Sequence, residues 1–250
     1  MTDFYNSGTP TANGNTPLAR SIAGDITATI RRQAAGAARS HQVHIGPSEL
    51  GLSCDRRVVG KLVAPQLNLP TQSENSDPWP SIVGTAIHAW MADAFAADDP
   101  ERWLTEKPVV PHPEHPGTLD LYDAKTRSCL DWKCLGASTA ATLRAKGPHR
   151  QYKAQLALYA LGLIRMGLPV DNIGIVLLPR TGSSLDGVYV WLHPMDQSIA
   201  DLLREVFEDT KRRKQYAVEV LAHTRTLNQV PAEPGECRFC PLYRMCPDAV

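Results

Sequence analysis

Gly117-Thr118-Leu119-Asp120 and Asp131-Trp132-Lys133 lie in two apolar, β-prone runs joined by the polar turn Ala124-Lys125-Thr126-Arg127. Side chains alternate across a strand. Asp131 and Lys133 therefore share one face, and Leu130 and Trp132 share the other. A hairpin through the turn brings Asp120 beside the charged face. Two carboxylates and a lysine then converge where a core prefers leucine. Burying such charges costs several kcal/mol unless something pairs with them. A divalent cation is the natural partner, because carboxylate oxygens suit Mg²⁺ or Mn²⁺. A lysine beside such an ion can position or activate water for phosphodiester hydrolysis. Taken alone, a D-x-K tripeptide is common by chance and reads as an ion pair at a strand end.

Further segments change that weighting. Gly84-Thr85-Ala86-Ile87-His88 sits in a run from Ile82 to Phe95 whose apolar members are Ile82, Val83, Ala86, Ile87, Trp90, Met91, Ala94 and Phe95. That is helix spacing, and it puts Gly84 and His88 on one face. A helical glycine costs about 1 kcal/mol relative to alanine, which is worthwhile where a backbone or metal site must approach closely. Gln155 and Tyr159 form another i, i+4 polar pair on an otherwise apolar helix, roughly residues 149–166. Singly, each of these reads as a helix edge. At the C-terminus stand Cys237, Cys240 and Cys246, with Cys54 far upstream.

The order G-x-x-x-H, G-x-x-D, D-x-K, Q-x-x-x-Y resembles the RecB-type branch of the PD-(D/E)xK nuclease superfamily. One early cysteine with a terminal C-x2-C-x5-C resembles the iron–sulfur exonucleases of that branch: CRISPR-associated Cas-four-type proteins, their phage-encoded relatives and AddB-like nuclease domains. The resemblance runs from Pro47 to Pro247. It implies a restriction-endonuclease-like core, with a central mixed sheet flanked by helices. It implies that His88, Asp120, Asp131 and the Trp132 carbonyl bind Mg²⁺ or Mn²⁺, that Lys133 is the catalytic lysine, and that Gln155 and Tyr159 sit beside the site, near the DNA. It also implies a [4Fe–4S] cluster on Cys54, Cys237, Cys240 and Cys246, a clasp between the helix bearing Cys54 and the C-terminal tail. In one respect the chain departs from the family. The carboxylate before the lysine is Asp131, where Glu is more frequent, and its arm is one methylene shorter.

Composition agrees with one compact domain. The chain has 250 residues, of which 43% are hydrophobic, enough for a single sizeable core. Residues 1–40 read as a flexible segment with an alanine-rich helix near 18–38, and 41–250 as the nuclease-like domain. No apolar run approaches the ~20 residues needed to span a bilayer, and the polar N-terminus carries no secretory signal, so a cytoplasmic location is expected. In a reducing compartment six cysteines argue for metal ligation rather than disulfides. Spacing alone leaves zinc and a cubane cluster open. Cys129 and Cys134 read as buried strand residues, and His112 and His115, flanked by prolines, as part of a loop.

A net charge of zero excludes a global pull on nucleic acid. The basic runs Arg56-Arg57, Arg144 to Lys153 and Lys211 to Lys214 read as solvated faces, except that the second leads into the helix carrying Gln155. Strands are expected near 103–110, 118–123, 128–134, 172–178 and 187–192, the last two around the turn Gly182-Ser183-Ser184. A long final helix is expected from Ile199 to Leu221. The expected activity is that of a metal-dependent DNA exonuclease working on single-stranded ends. The alternative is a DNA-holding or assembly subunit of a recombination or CRISPR spacer-acquisition complex.

Overall fold

The computed structural model describes residues 16–36, 45–69, 77–180, 184–233, 237 and 240–249. The expected turn at Gly182 and Ser183, and nearly all of the N-terminal segment before the first helix, lie outside them. The chain divides into two units, 1–42 and 43–250. The first contains α1 (Pro17–Ala35), started by Thr16, whose hydroxyl accepts from Ala19 N at 3.1 Å.

The second unit runs α2 (Pro47–Leu50), α3 (Asp55–Leu67), α4 (Trp79–Asp98), β1 (Trp103–Val109), β2 (Gly117–Asp123), β3 (Ser128–Leu135), α5 (Ala137–Lys146), α6 (Arg150–Arg165), β4 (Asn172–Pro179), β5 (Tyr189–Pro194) and α7 (Gln197–Leu221). The strands form one sheet in sequence order. Among the described strands, only β3 and β4 pair in parallel. A parallel pair needs a long crossover, and α5 and α6 supply it. None of the described helices is long and apolar enough to cross a membrane.

The alternation read from β3 sorts the layers. Leu121, Leu130, Trp132, Val176 and Leu178 pack against Ile87, Met91 and Phe95 of α4. Cys129, Ile173 and Ile175 turn the other way, into a core shared with Leu156, Leu158 and Leu163 of α6 and Ile199, Leu203 and Val206 of α7. Helices thus cover both faces of the sheet. α6 is buried from Ala154 through Ala160, which is why its sequence is apolar nearly all round. α4 differs from expectation: Trp90 is 68% exposed and only Ala92 is buried, so its apolar residues do not all face the core.

One helix and the end of another escape the sequence reading. α5 buries only Ala140 and Leu143, too few to mark a stripe. α3, which the sequence predicts as a short helix within 47–63, continues through Pro65 into residues 64–81, whose prolines with Ser, Asn and Asp read as a loop, and ends where Asn68 turns left-handed at φ 49°.

Candidate active site

β2 and β3 pair only from Leu121↔Leu130 to the turn. Beyond that point the Trp132 N–H donates to Asp120 Oδ2 at 2.9 Å instead of to a ladder carbonyl. The Asp120 carboxylate therefore stands in the opening between the two strands. Its other oxygen, Oδ1, lies 3.3 Å from His88 Nδ1 of α4. This contact holds the His88 imidazole above its usual pKa, against the effect of burial.

Asp131 points to the opposite layer. It is 1% exposed. Gln155 Nε2 donates to its Oδ1 at 3.1 Å and to Tyr159 Oη at 3.1 Å. Lys133 Nζ ion-pairs with Asp131 Oδ2, and it donates to Gln155 Oε1 at 3.5 Å. Despite that ion pair, Oδ2 receives no well-directed hydrogen bond among the described residues. Burial pushes Asp131 up to about 6, although the Lys133 charge pulls it down. Burial also works to lower Lys133, but the Asp131 carboxylate outweighs it, and the ammonium is held charged above its ordinary value. The ammonium sits 4.9 Å from the Tyr152 ring centroid.

One member of the site was not singled out in the sequence. Glu106, in β1, forms with His88 and Asp120 a group whose ligating atoms all lie within 4.8 Å of one another. It has φ 45°, a left-handed conformation inside a strand, which is strained for a residue with a Cβ. The β1–β2 register pairs Thr105↔Leu121 and Lys107↔Leu119 and skips Glu106 opposite Asp120. The break changes the faces of both strands. Leu104 and Val109 belong to one core, as do Leu119 and Tyr122, although strict alternation would separate each pair. Leu121, of the same parity as Leu119, packs on the α4 side. The sheet thus inverts at this step, bringing two carboxylates to a histidine from the α4 layer.

Each residue marked in the sequence has a definite place. His88 meets Asp120, while Asp131, Lys133, Gln155 and Tyr159 form a network of their own, and the group of ligating atoms around His88 does not include Asp131. The Trp132 side chain packs in the α4-side core, 2% exposed. Gln155 and Tyr159, expected beside DNA, are 8% and 6% exposed, and their polar atoms turn inward to Asp131 and to one another. Gly84 does not answer a close approach, since a Cβ there would meet nothing within 4 Å. It leaves open space one turn before His88.

Cys54, Cys237, Cys240 and Cys246 line a single cavity with Arg56 and Arg57. Burial pushes the Cys240 thiol up, while Arg57 pulls it down. Arg56 Nη1 donates to Cys246 Sγ at 3.2 Å and to Asp248 Oδ2 at 2.6 Å. Its other nitrogens reach the carbonyls of Val230 at 3.0 Å and Asn228 at 2.7 Å. Arg56 thereby ties the C-terminal segment to α3. Cys129 is buried, and its thiol meets the Leu156 carbonyl; Cys134 is half-buried.

The basic runs divide. Arg213 is 1% exposed, with Arg213 Nε 2.7 Å from Asp55 Oδ1 and Nη1 2.9 Å from the Leu50 carbonyl. Arg212 grips the same Asp55 at 3.0 and 3.1 Å. Arg213 and Arg56 are internal anchors rather than part of a solvated face, while Arg212 stays exposed as it grips Asp55 from outside. Arg150 bonds Asp209 at 2.9 Å, and Lys153 lies over the Trp191 ring at 5.8 Å.

No family model and no curated protein matches the chain. Its fold does have counterparts. The crystal structure of SSO0001 superposes with a TM-score of 0.51 at 14% identity, over 92% of this chain and 98% of that one. LHK-Exo, an alkaline exonuclease from Laribacter hongkongensis, gives 0.50 at 12% identity, over 73% of this chain and 93% of that one. The mixed five-stranded sheet flanked by helices is therefore an architecture that a known nuclease also adopts.

Proposed function

We propose that the chain is a metal-dependent DNA exonuclease acting on single-stranded ends inside the cell. The carrying observation is the convergence of His88, Glu106 and Asp120 beside the Asp131–Lys133–Gln155 network, at a break in the sheet. The donor set fits Mg²⁺ or Mn²⁺, being oxygen-rich with one imidazole. The buried Asp131 carboxylate, balanced by the Lys133 ammonium, fits as well. His88, Asp120 and Asp131, with the Trp132 carbonyl and Glu106, would hold the ion. Bound there, it would supply Lewis-acid stabilisation of the phosphoryl oxygens and a more acidic water. Lys133, kept charged by Asp131, stabilises negative charge developing on the phosphate. Gln155 aims Asp131 and Lys133 together, and Tyr159 fixes Gln155, so both act as positioning residues. The open face left by Gly84 gives a DNA strand access beside His88.

Cys54, Cys237, Cys240 and Cys246 fit a [4Fe–4S] cluster, because four thiols share a cavity with two arginines that offset thiolate charge. In that reading the cluster completes a clasp that Arg56 begins. The test is anaerobic purification, a visible spectrum, and digestion of end-labelled single strands with Mn²⁺ and with EDTA. Mn²⁺-dependent shortening from an end and a brown protein are expected. Strand binding without cleavage by the intact protein would turn the assignment to the DNA-holding subunit, and a colourless protein with one zinc would replace the cluster.

A further inference from the structure

Between β1 and β2 the chain runs Pro111-His112-Pro113-Glu114-His115-Pro116. The sequence reads here as a loop without a ligand role. In the structure the loop folds back on itself, with His115 N donating to the His112 carbonyl at 2.9 Å. His112, Glu114 and His115 then each present one ligating atom, all within 4.8 Å of one another. The two rings lie 5.3 Å apart between centroids, and Glu114 Oε2 is 3.7 Å from His112 Nδ1.

A cluster of this kind is not by itself a site. His115 supplies the second observation. It is 6% exposed, and its Nδ1 lies 2.8 Å from the Ile45 carbonyl oxygen. A carbonyl can only accept, so Nδ1 carries the proton and donates it. In the neutral ring Nε2 is then a bare lone pair. That atom is buried and has no hydrogen-bond partner among the described residues, an expensive state for a polar group. An imidazole whose one N–H is given to a backbone carbonyl, with the other nitrogen unclaimed, is the arrangement that metal-binding histidines adopt.

We infer that His112, Glu114 and His115 form a second metal site, built for Zn²⁺ and separate from the candidate active site. Two imidazoles and one carboxylate suit zinc better than Mg²⁺ or Ca²⁺. Glu114 N–H reaches His112 Nδ1 at 3.2 Å, and an ion at that nitrogen replaces this weak bond. Access from solvent exists, since His112 also lines a cavity of about 230 Å³ with Arg165, Phe207, Thr210, Lys211 and Lys214. The site has a built-in competitor, because the Lys214 ammonium of α7 ion-pairs with Glu114. Zinc has to share or displace that carboxylate. The consequence is structural: β1 carries Glu106 and β2 carries Asp120, so an ion in the loop joining them pins the strands whose break shapes the nuclease-like site. The inference does not depend on what that site does.

The test uses the full-length protein with its histidine ring nitrogens observed by NMR during Zn²⁺ addition, which keeps cysteine-bound zinc from confusing the readout. The His112 and His115 rings should shift with the first equivalents, His115 retaining its Nδ1–H. His112→Gln and Glu114→Gln change partly exposed residues and should fold. Each should weaken the half-saturation at His115 by at least about tenfold. Lys214→Met should tighten it, since a competing charge is gone. Asp120→Ala should leave it unchanged. Rings of His112 and His115 that ignore Zn²⁺ in the wild type, or the same response in His112→Gln and Glu114→Gln as in the wild type, would overturn the site.

Discussion

Gln155→Leu separates a positioning role from a substrate-contacting one. In the native site both Gln155 N–H groups are used, one on Asp131 Oδ1 and one on Tyr159 Oη, each at 3.1 Å. Leucine fills nearly the same volume but donates nothing. Asp131 then keeps only its Lys133 ion pair, because Oδ2 already lacks a hydrogen bond. A hydrogen bond to a charged group contributes about 1.5–3 kcal/mol, and the neutral bond to Tyr159 about 1 kcal/mol. The leucine methyls regain on the order of 1–2 kcal/mol of this by burial. A net destabilisation of about 1–2 kcal/mol is expected, read as a lower urea midpoint with an unchanged m-value. The effect on chemistry should be larger than on binding. An Asp131 free to turn should lower kcat by about 10–100-fold, or about 1.4–2.8 kcal/mol in barrier, with KM nearly constant. Tyr159→Phe leaves the Asp131 bond intact and should cost less in both assays. If Gln155→Leu raises KM while kcat holds, Gln155 touches DNA and the positioning argument is wrong.

Other perturbations address separate parts of the molecule. Asp131→Ala should abolish cleavage while leaving fold and brown colour intact, and activity within about tenfold of wild type would remove Asp131 from the site. Lys133→Ala should keep Mn²⁺ affinity near wild type by calorimetry, or tighten it, while single-turnover cleavage falls by orders of magnitude; Asp120→Ala should instead weaken the metal directly. Cys246→Ser should bleach the cluster and lower solubility, whereas wild-type iron content would show that Cys246 is not a ligand. Asp123 is buried, which raises its pKa, but Arg102 at 2.9 and 3.0 Å and Thr126 at 2.8 Å outweigh that and hold it below the usual range. Its folded pKa is depressed, so its stabilisation is complete above the unfolded value of about 3.9 and is lost as pH falls through the folded one. Asp123→Asn should therefore be less stable at neutral pH and show a flatter acid limb in urea titrations.

The strands and the charged face of β3 were legible because alternation and helix periodicity are local properties. Asp131 and Lys133 had to share a face whatever surrounded them. Long-range geometry was not legible. Glu106 is one acidic residue in Thr105-Glu106-Lys107, and nothing in those three letters announces a left-handed φ or an inversion of the strand. The only available signal was charge inside a strand. The buried stripe of α7 continues through Thr210, Arg213 and Ala217, which do not read as core. Arg213 looked like one member of a basic surface run, because its partners, Asp55 and the carbonyls of Leu50 and Leu52, lie far away in sequence. His115 lies in a loop as its prolines suggest, but its burial was not legible, because its partner Ile45 is distant in sequence.

The place of the site in the fold follows from one physical conflict. A regular β1–β2–β3 sheet would keep its two faces apart, with Asp120 turned away from His88 of α4. Glu106 at φ 45° breaks the β1–β2 ladder, and the β2–β3 ladder stops at Leu121↔Leu130. Asp120 stands at both interruptions. With its ladder partners gone, its carboxylate can hold His88 of the α4 layer and, in the plane of the sheet, the N–H of Trp132, the neighbour of Asp131 in β3. Strain of this kind persists only where the surroundings enforce it. Here the enforcement comes from hydrophobic packing on both sides of the break: Leu119 and Val109 toward α6, Leu121 and Trp103 toward α4. Charge is thus gathered by the very residues that never touch it. Substitutions at Leu119 or Val109 should for that reason disturb the site's geometry before they disturb the fold.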